Sequence, residues 1–142
     1  MTPGVPKIMD DVRIVPLCEW GKDHWSLLGY IETRCVDHGG ILDHQHLRCN
    51  PRRHPGLALP QHVQEGDTYE HPSRIRGGAL VPGHDDWDCF YDIEAGGLIL
   101  DIGTGIYPRA KLTEAGLALC AKLRAHKAAG GMFATFEPGA PA

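Results

Sequence analysis

A chain of 142 residues, 42% of them hydrophobic, has the length and composition of one compact domain. It contains no run near the roughly 18 apolar residues that cross a bilayer, and its start lacks a secretion signal, so we expect a cytoplasmic protein with no membrane partner. The net charge of −4 argues against a protein that coats nucleic acid, and five cysteines, an odd number, argue against a disulfide framework.

The predicted elements begin after an N-terminal arm, residues 1–22. A first helix is expected with Asp23 as its N-cap, because Trp25, Leu28 and Ile31 follow at helical spacing. The glycine pair of "DHGG" supplies the stop. This helix should bury its tryptophan and its aliphatic residues.

A short helix and a long insertion are predicted next. The stretch "HQHLRC", residues 44–49, fits one to two helical turns that end before Pro51. Residues 51–83 are rich in proline and glycine, with one strand expected over residues 73–81. Because structureless loops longer than about 12–15 residues are uncommon in compact domains, the insertion is expected to have a function or to be held in place by contacts with the rest of the domain.

The clearest predicted helix follows the insertion. Asp85 or Asp86 is its expected N-cap, and Trp87, Phe90 and Ile93 face inward. The glycine pair of "EAGG" ends this helix. A helix of this length with an apolar face should pack against the core.

The last part of the chain predicts a hairpin, a helix and a tail. Residues 98–112 form the hairpin, with its turn at Gly103-Thr104-Gly105. Thr113 is expected to cap the closing helix in "EAGLALCAKLRAHKAAG". Residues 131–142 are expected to be a flexible tail whose two phenylalanines, Phe133 and Phe136, either fold back on the core or dock on a second copy in a homodimer.

The order of elements and the phrase "DIEAGGLI…GTGIYPRAKLTEAGLALCAKL" resemble a winged helix-turn-helix domain. The amino-acid sequence resembles the family over residues 85–127, whereas residues 24–49 match it by element order alone. The resemblance implies an α+β, winged-helix-like fold over residues 23–130: a helical core, a two-stranded wing and a long insertion, 51–83, between the second and third helices. This scaffold serves many DNA-binding regulators, and relatives of it bind proteins instead.

The function expected from this resemblance is a small, non-enzymatic regulator that contacts DNA. The third helix of the family usually enters the major groove, but "DDWDCFYDIE" has five acids and no Lys or Arg, and phosphates repel acids. The contact is therefore assigned to basic residues of the insertion and wing. They are Arg48, Arg52, Arg53, Arg74, Arg76, Arg109 and Lys111.

A protein partner is the alternative to DNA. In that hypothesis the protein is an inhibitor or adaptor that binds through Asp85, Asp86 and Asp88 of the acidic third helix, together with Trp20 as an exposed contact. Trp25 and Trp87 are assigned to the core instead. The same acids also suit a simpler role, in which they cap the helix and face solvent.

A structural zinc site is a further hypothesis, and the alternative to it is no cofactor. Zinc is held by close pairs of Cys and His, and Cys35-x2-His38 and His46-x2-Cys49 are two such pairs. The competing interpretation makes Cys35 a core thiol and the histidines surface residues. Two more histidines, His44 and His54, are reserve ligands.

The same segment, "VDHGGILDHQHLRCN", is similar to the centres of His-metal finger endonucleases. That similarity implies a metal-dependent nuclease with His38 or His44 as the base and His46 or Asn50 as a metal ligand. Such a centre needs a hairpin that runs into a helix, whereas here a helix leads in and Pro51 cuts the next one short. Nuclease activity is therefore the lowest-ranked hypothesis.

Overall fold

The structure, a computed structural model, describes residues 14–42, Leu47, residues 73–103 and residues 109–139. Across these ranges the chain forms three α-helices and two antiparallel two-stranded sheets, which confirms the predicted α+β class. The helices are α1 (Lys22–Asp37), α2 (Asp86–Ala95) and α3 (Glu114–Ala128). The strands are β1 (Ser73–Arg74), β2 (Leu80–Val81), β3 (Ile99–Asp101) and β4 (Ala110–Leu112).

Several predicted elements lie outside the described residues. They are the arm up to residue 13, the insertion from 51 to 72, most of the hairpin turn, and the short second helix apart from Leu47, which is buried. The single strand expected over residues 73–81 is wrong. Gly77 and Gly78 take positive φ angles of 80° and 81°, which breaks the extended chain and pairs β1 with β2 as a small hairpin.

The N-cap of helix α1 lies two residues before the predicted cap, and the helix ends where the sequence indicates. Its N-cap is Gly21, not Asp23, because the Asp23 carboxylate accepts a hydrogen bond from the Arg74 backbone N–H at 2.8 Å. At the other end Gly39 and Gly40 take φ angles of 63° and 87°, a conformation that suits glycine. The predicted stop at "DHGG" is confirmed.

Helix α2 packs against α1 and β3. Asp85 is its N-cap, as predicted, and it accepts from the Asp88 N–H at 3.0 Å while Asp88 accepts from the Asp85 N–H at 2.9 Å. From Asp86 to Ile93 every residue except the half-buried Tyr91 is buried. This helix therefore has no broad exposed face among its first eight residues.

The hydrophobic core joins the three helices. Trp25, Leu28 and Ile31 of α1 are at most 1% exposed, and the predicted core positions of α2 are also buried. The Phe136 ring packs edge-on against Trp25 with ring centres 4.8 Å apart, so this part of the predicted tail folds back on the core. No helix in the described ranges is both long and apolar enough to span a bilayer.

The assignment of Trp20 to an exposed contact is wrong. Trp20 is 1% exposed, because its ring stacks on His24 and its Nε1–H donates to the Val15 carbonyl at 2.8 Å. The segment from Val15 to Gly21, which the sequence places in an arm, thus contributes to the core and covers the start of α1.

The C-terminal hairpin and helix agree with the sequence where they are described. Strands β3 and β4 pair antiparallel with Leu100 opposite Lys111. Thr113 accepts a hydrogen bond from the Gly116 N–H at 3.0 Å and caps α3. Gly116 faces the Leu98 carbonyl so closely that a Cβ there would overlap the oxygen. The hairpin and α3 are therefore held at a fixed separation.

Candidate metal centre

Four buried side chains converge between α1 and α2. His24 comes from the first turn of α1, His84 precedes the N-cap of α2, and Cys89 and Asp92 lie one turn apart on α2. Each residue offers one ligand atom, and these four atoms all lie within 4.8 Å of one another. Because positions i and i+3 of a helix share a face, α2 presents the thiol and the carboxylate together toward α1.

Asp92 is the hub of the cluster. Its Oδ2 lies 2.8 Å from His24 Nε2 and 2.7 Å from His84 Nε2, while its Oδ1 accepts the Val15 backbone N–H at 2.9 Å. Burial alone would raise the pKa of the Asp92 carboxyl, but the hydrogen bonds from these three groups outweigh burial and lower the pKa below its ordinary value. Asp92 is therefore a buried carboxylate with both oxygens engaged.

The His24 ring is oriented from two sides. The Gly21 N–H donates to His24 Nδ1 at 3.4 Å, and the Trp20 ring stacks on the imidazole with ring centres 5.2 Å apart and planes 6° from parallel. Trp20 in turn bonds to Val15, whose own N–H holds Asp92. The segment before α1 thus fixes both the imidazole and the carboxylate.

Cys89 is a protonated thiol in this environment. It is 0% exposed, and its Sγ lies 3.1 Å from Ser73 Oγ on β1. Burial raises the pKa of the thiol well above its ordinary value, and the neighbouring carboxylates, including Asp86, raise the pKa further. A nucleophilic role is thereby disfavoured, since the thiolate is the reactive form and needs a nearby cation.

The donor set matches zinc. Two imidazole nitrogens, one thiolate sulfur and one carboxylate oxygen are the ligand types that Zn²⁺ takes in tetrahedral sites. Zinc–ligand bonds of about 2.0–2.3 Å place tetrahedral donors roughly 3.3 Å apart. The contacts of 2.7 and 2.8 Å from Asp92 Oδ2 are hydrogen bonds, so the two imidazole nitrogens would each move about half an ångström away from Oδ2 around an ion.

A cavity of about 350 Å³ lies next to the same end of α1. It is lined by Lys22, Asp23, Ser26, Leu27, Tyr30, Leu47 and Asp86. Asp23 and Asp86 are only 7% and 6% exposed. The acids next to His24 and one turn before Cys89 thus line this cavity and are largely withdrawn from the protein surface.

The four ligands expected from the sequence are not assembled by the described residues. His46 and Cys49 lie outside them. Cys35 is half-buried and donates from Sγ to the Ala110 carbonyl at 3.4 Å, while His38 is exposed beyond the end of α1. The nuclease hypothesis is equally untested, because His44, His46 and Asn50 all lie outside the described ranges.

The exposed acidic face expected on the third helix is wrong. Asp85, Asp86 and Asp88 are 1%, 6% and 0% exposed. Asp85 and Asp88 turn inward because they cap each other's backbone N–H, and Asp86 points to the cavity. In this fold the three carboxylates cannot contact a partner protein at the surface.

The basic residues assigned to DNA form two groups where they are described. Arg74 and Arg76 lie near the start of α1, where the Arg74 N–H bonds Asp23 and Arg76 pairs with Glu137 at 3.5 Å. Arg109 lies beyond the other end, with its Nε–H donating to the Gly39 carbonyl. A helix of 16 residues is about 24 Å long, so the two groups are separate. Arg48, Arg52 and Arg53 lie outside the described residues.

Comparisons of the chain with protein-family models, curated proteins and solved structures find no match. The resemblance to winged helix-turn-helix domains therefore rests on the sequence of residues 85–127 and on the order of elements.

Proposed function

We propose that this protein binds one Zn²⁺ ion at His24, His84, Cys89 and Asp92, and that the ion stabilises the fold without performing a reaction. The observation that carries the proposal is the convergence of four zinc-type donor atoms within 4.8 Å in a buried place. Structural zinc sites use four protein ligands, whereas catalytic sites leave a position open for water. The donor count thus favours a structural ion and a non-enzymatic protein.

The charges of the proposed centre balance. A divalent ion bound to one thiolate and one carboxylate is neutral overall, which avoids the cost of an unpaired buried charge. The ion also supplies the positive charge that the Cys89 thiol needs nearby in order to lose its proton. Bound zinc would connect the first turn of α1, the residue before α2 and α2 itself.

Neighbouring groups support the same ligands. The Val15 N–H occupies Asp92 Oδ1 and leaves Oδ2 to face the two imidazoles. Ser73 Oγ lies 3.1 Å from Cys89 Sγ and is placed to donate to a thiolate. Hydrogen bonds of this kind orient metal ligands, and their loss typically lowers metal affinity by about 10–100-fold.

We expect purified protein to contain one zinc per chain and the Cys89→Ser variant to lose it, because serine does not supply a thiolate. Elemental analysis measures the content, and cobalt substitution gives a thiolate-to-metal absorption band that Cys89→Ser should lack. Zinc should raise the melting temperature of the wild type and leave that of the variant unchanged.

The matched control is Cys49→Ser, which removes a thiol from the other proposed metal-binding segment. It should keep both the zinc and the cobalt band. If Cys49→Ser loses the metal while Cys89→Ser retains it, the ion belongs to Cys35, His38, His46 and Cys49 and the buried centre is refuted.

A second candidate function is DNA contact by a winged-helix-like domain through the C-terminal hairpin. Arg109 and Lys111 are exposed at β4, and within the described ranges neither forms an ion pair. The acids of α2 that would repel phosphate are buried. Since Asp86 to Ile93 of α2 are buried except for the half-buried Tyr91, the contact would use the hairpin and not a groove-reading helix.

We expect the double substitution Arg109→Glu and Lys111→Glu to abolish binding to duplex DNA at low salt, because it replaces two phosphate contacts by two repulsions. Fluorescence anisotropy of a labelled random duplex measures the affinity. Lys122→Glu with Arg124→Glu makes the same change of charge on α3 and should retain most of the binding. Equal losses in both variants would mean that only net charge matters.

A further inference from the structure

Cationic side chains from distant parts of the chain meet at the C-terminal end of α1. Arg34 donates from Nε to the Ile41 carbonyl at 2.7 Å, and Arg109 donates from Nε to the Gly39 carbonyl at 2.8 Å. Because a chain advances at most about 3.6 Å per residue, the Cα atoms of Gly39 and Ile41 are no more than about 7 Å apart. Two guanidinium groups are thus anchored on one short stretch of backbone.

The anchoring backbone is itself held in place. The Ala110 N–H donates to the Gly40 carbonyl at 2.9 Å, and Ile41 forms a β-bridge with Arg109. A Cβ on Gly40 would overlap the Ala110 carbonyl oxygen, so only glycine permits this approach. The two arginines therefore start from a pre-organised frame, which lowers the entropy cost of binding a ligand.

Within the described ranges the anchored arginines bond through Nε alone. A guanidinium carries five N–H groups, and among the described residues Arg34 and Arg109 donate side-chain hydrogen bonds only from Nε. In the described part of the chain no carboxylate pairs with Arg34, Arg109 or Lys111, whereas Arg76 pairs with Glu137 and Arg124 pairs with Glu32. Among the described residues, Arg34, Arg109 and Lys111 thus form no ion pair, although Asp37 lies in the last turn of α1.

A role in helix capping explains only part of this arrangement. The C-terminus of α1 carries a partial negative charge that attracts Arg34 and the exposed His38. Arg109, by contrast, reaches this end of α1 from a position 70 residues beyond its acceptor Gly39, and Lys111 follows it on β4. Two cations from a second element exceed what one helix end requires.

We infer that Arg34 and Arg109 form a clamp for a phosphodiester group of nucleic acid, with Lys111 and His38 at its edge. Planar guanidinium groups bind phosphate oxygens in pairs, and this geometry is why arginine is preferred at such sites. The inference rests on the second proposed function for the source of the phosphate. It adds Arg34 and His38, which belong to neither the insertion nor the wing.

The test uses Arg34→Gln in the full chain, with anisotropy of a labelled duplex measured from about 50 to 200 mM salt. We expect the affinity to fall about tenfold and the salt slope to fall by about one phosphate contact. Arg34→Lys keeps the positive charge but loses the planar guanidinium that can donate two hydrogen bonds to one phosphate. Its affinity for duplex DNA should therefore lie between those of the wild type and Arg34→Gln. Arg124→Gln, which removes a paired arginine, is the matched control, and thermal melting verifies that each variant is folded.

The outcomes separate the clamp from the wider DNA proposal. If folded Arg34→Gln binds duplex as well as wild type while the Arg109 and Lys111 double variant does not, the clamp is overturned and the hairpin contact stands. If the wild type binds inorganic pyrophosphate but not duplex DNA, both the DNA contact and the clamp for a nucleic-acid phosphodiester are overturned. Absence of binding to both probes overturns both proposals.

Discussion

Replacement of Asp92 by alanine is expected to lower the free energy of unfolding by about 3–5 kcal/mol, the range seen when one partner of a buried charged network is removed. The change leaves the Val15 N–H, His24 and His84 without their acceptor in a place that water does not reach. Each such buried group costs about 1–3 kcal/mol when it loses its partner. Urea unfolding of the metal-free protein, followed by tryptophan fluorescence, measures the effect.

Glu94→Ala provides the matched control for Asp92→Ala. Glu94 is exposed on the same helix two residues later and accepts an exposed hydrogen bond from the Asp101 N–H at 3.3 Å, so its removal should cost no more than about 1 kcal/mol. If both variants lose the same stability, the network around Asp92 does not hold the fold together in the way described.

The Asp92 carboxylate also gives this prediction a pH dependence. Because its pKa is lowered in the folded protein, its stabilisation is complete above the unfolded value of about 3.9 and is lost as the pH falls through the folded value. Asp92→Asn has no such group to titrate. Its stability should therefore fall less steeply than that of the wild type below about pH 4.

The second large effect is expected from a single methyl group. Gly116→Ala should destabilise the protein by more than about 2 kcal/mol, because the new Cβ would overlap the Leu98 carbonyl and push α3 away from the hairpin. Helix propensity alone predicts the opposite sign, a gain of about 1 kcal/mol for Gly to Ala. Thermal or urea unfolding determines which effect dominates.

Gly29→Ala is the same substitution in a helix with space around it. A Cβ there would meet only the Phe133 ring at an ordinary 3.7 Å. This variant should therefore keep or gain stability, by up to about 1 kcal/mol. Equal losses at both positions would show that backbone flexibility, and not the contact with Leu98, sets the cost of replacing glycine here.

The parts of the fold that depend on neighbouring residues were predictable. Asp85 and Thr113 are caps because their side chains bond an N–H three residues on, and Gly39 and Gly40 end α1 because their φ angles are positive. These effects act within one helical turn. The sequence therefore predicts the three helices, apart from the N-cap of α1, and the C-terminal hairpin where it is described.

The buried cluster depends on contacts that no local pattern reveals. Close Cys and His pairs drew attention to residues 35–49, whereas His24 and Asp92 are 68 positions apart. The one local signal is Cys89-x2-Asp92 with His84 before it, and no role is assigned to Asp92 from the sequence. Trp20 was misassigned for the same reason, since its partners His24 and Val15 bury it only after the segment before α1 has folded over the helix.

The hydrogen bonds of Asp92 also determine when this protein can fold. Val15 and His24 are 77 and 68 residues away from their acceptor, so the N-terminal half must wait for α2 to leave the ribosome before its polar groups are satisfied. Native contacts of such long range slow folding. Nascent chains that stop before about residue 95 should remain open to proteases, and protection should arise in one late step.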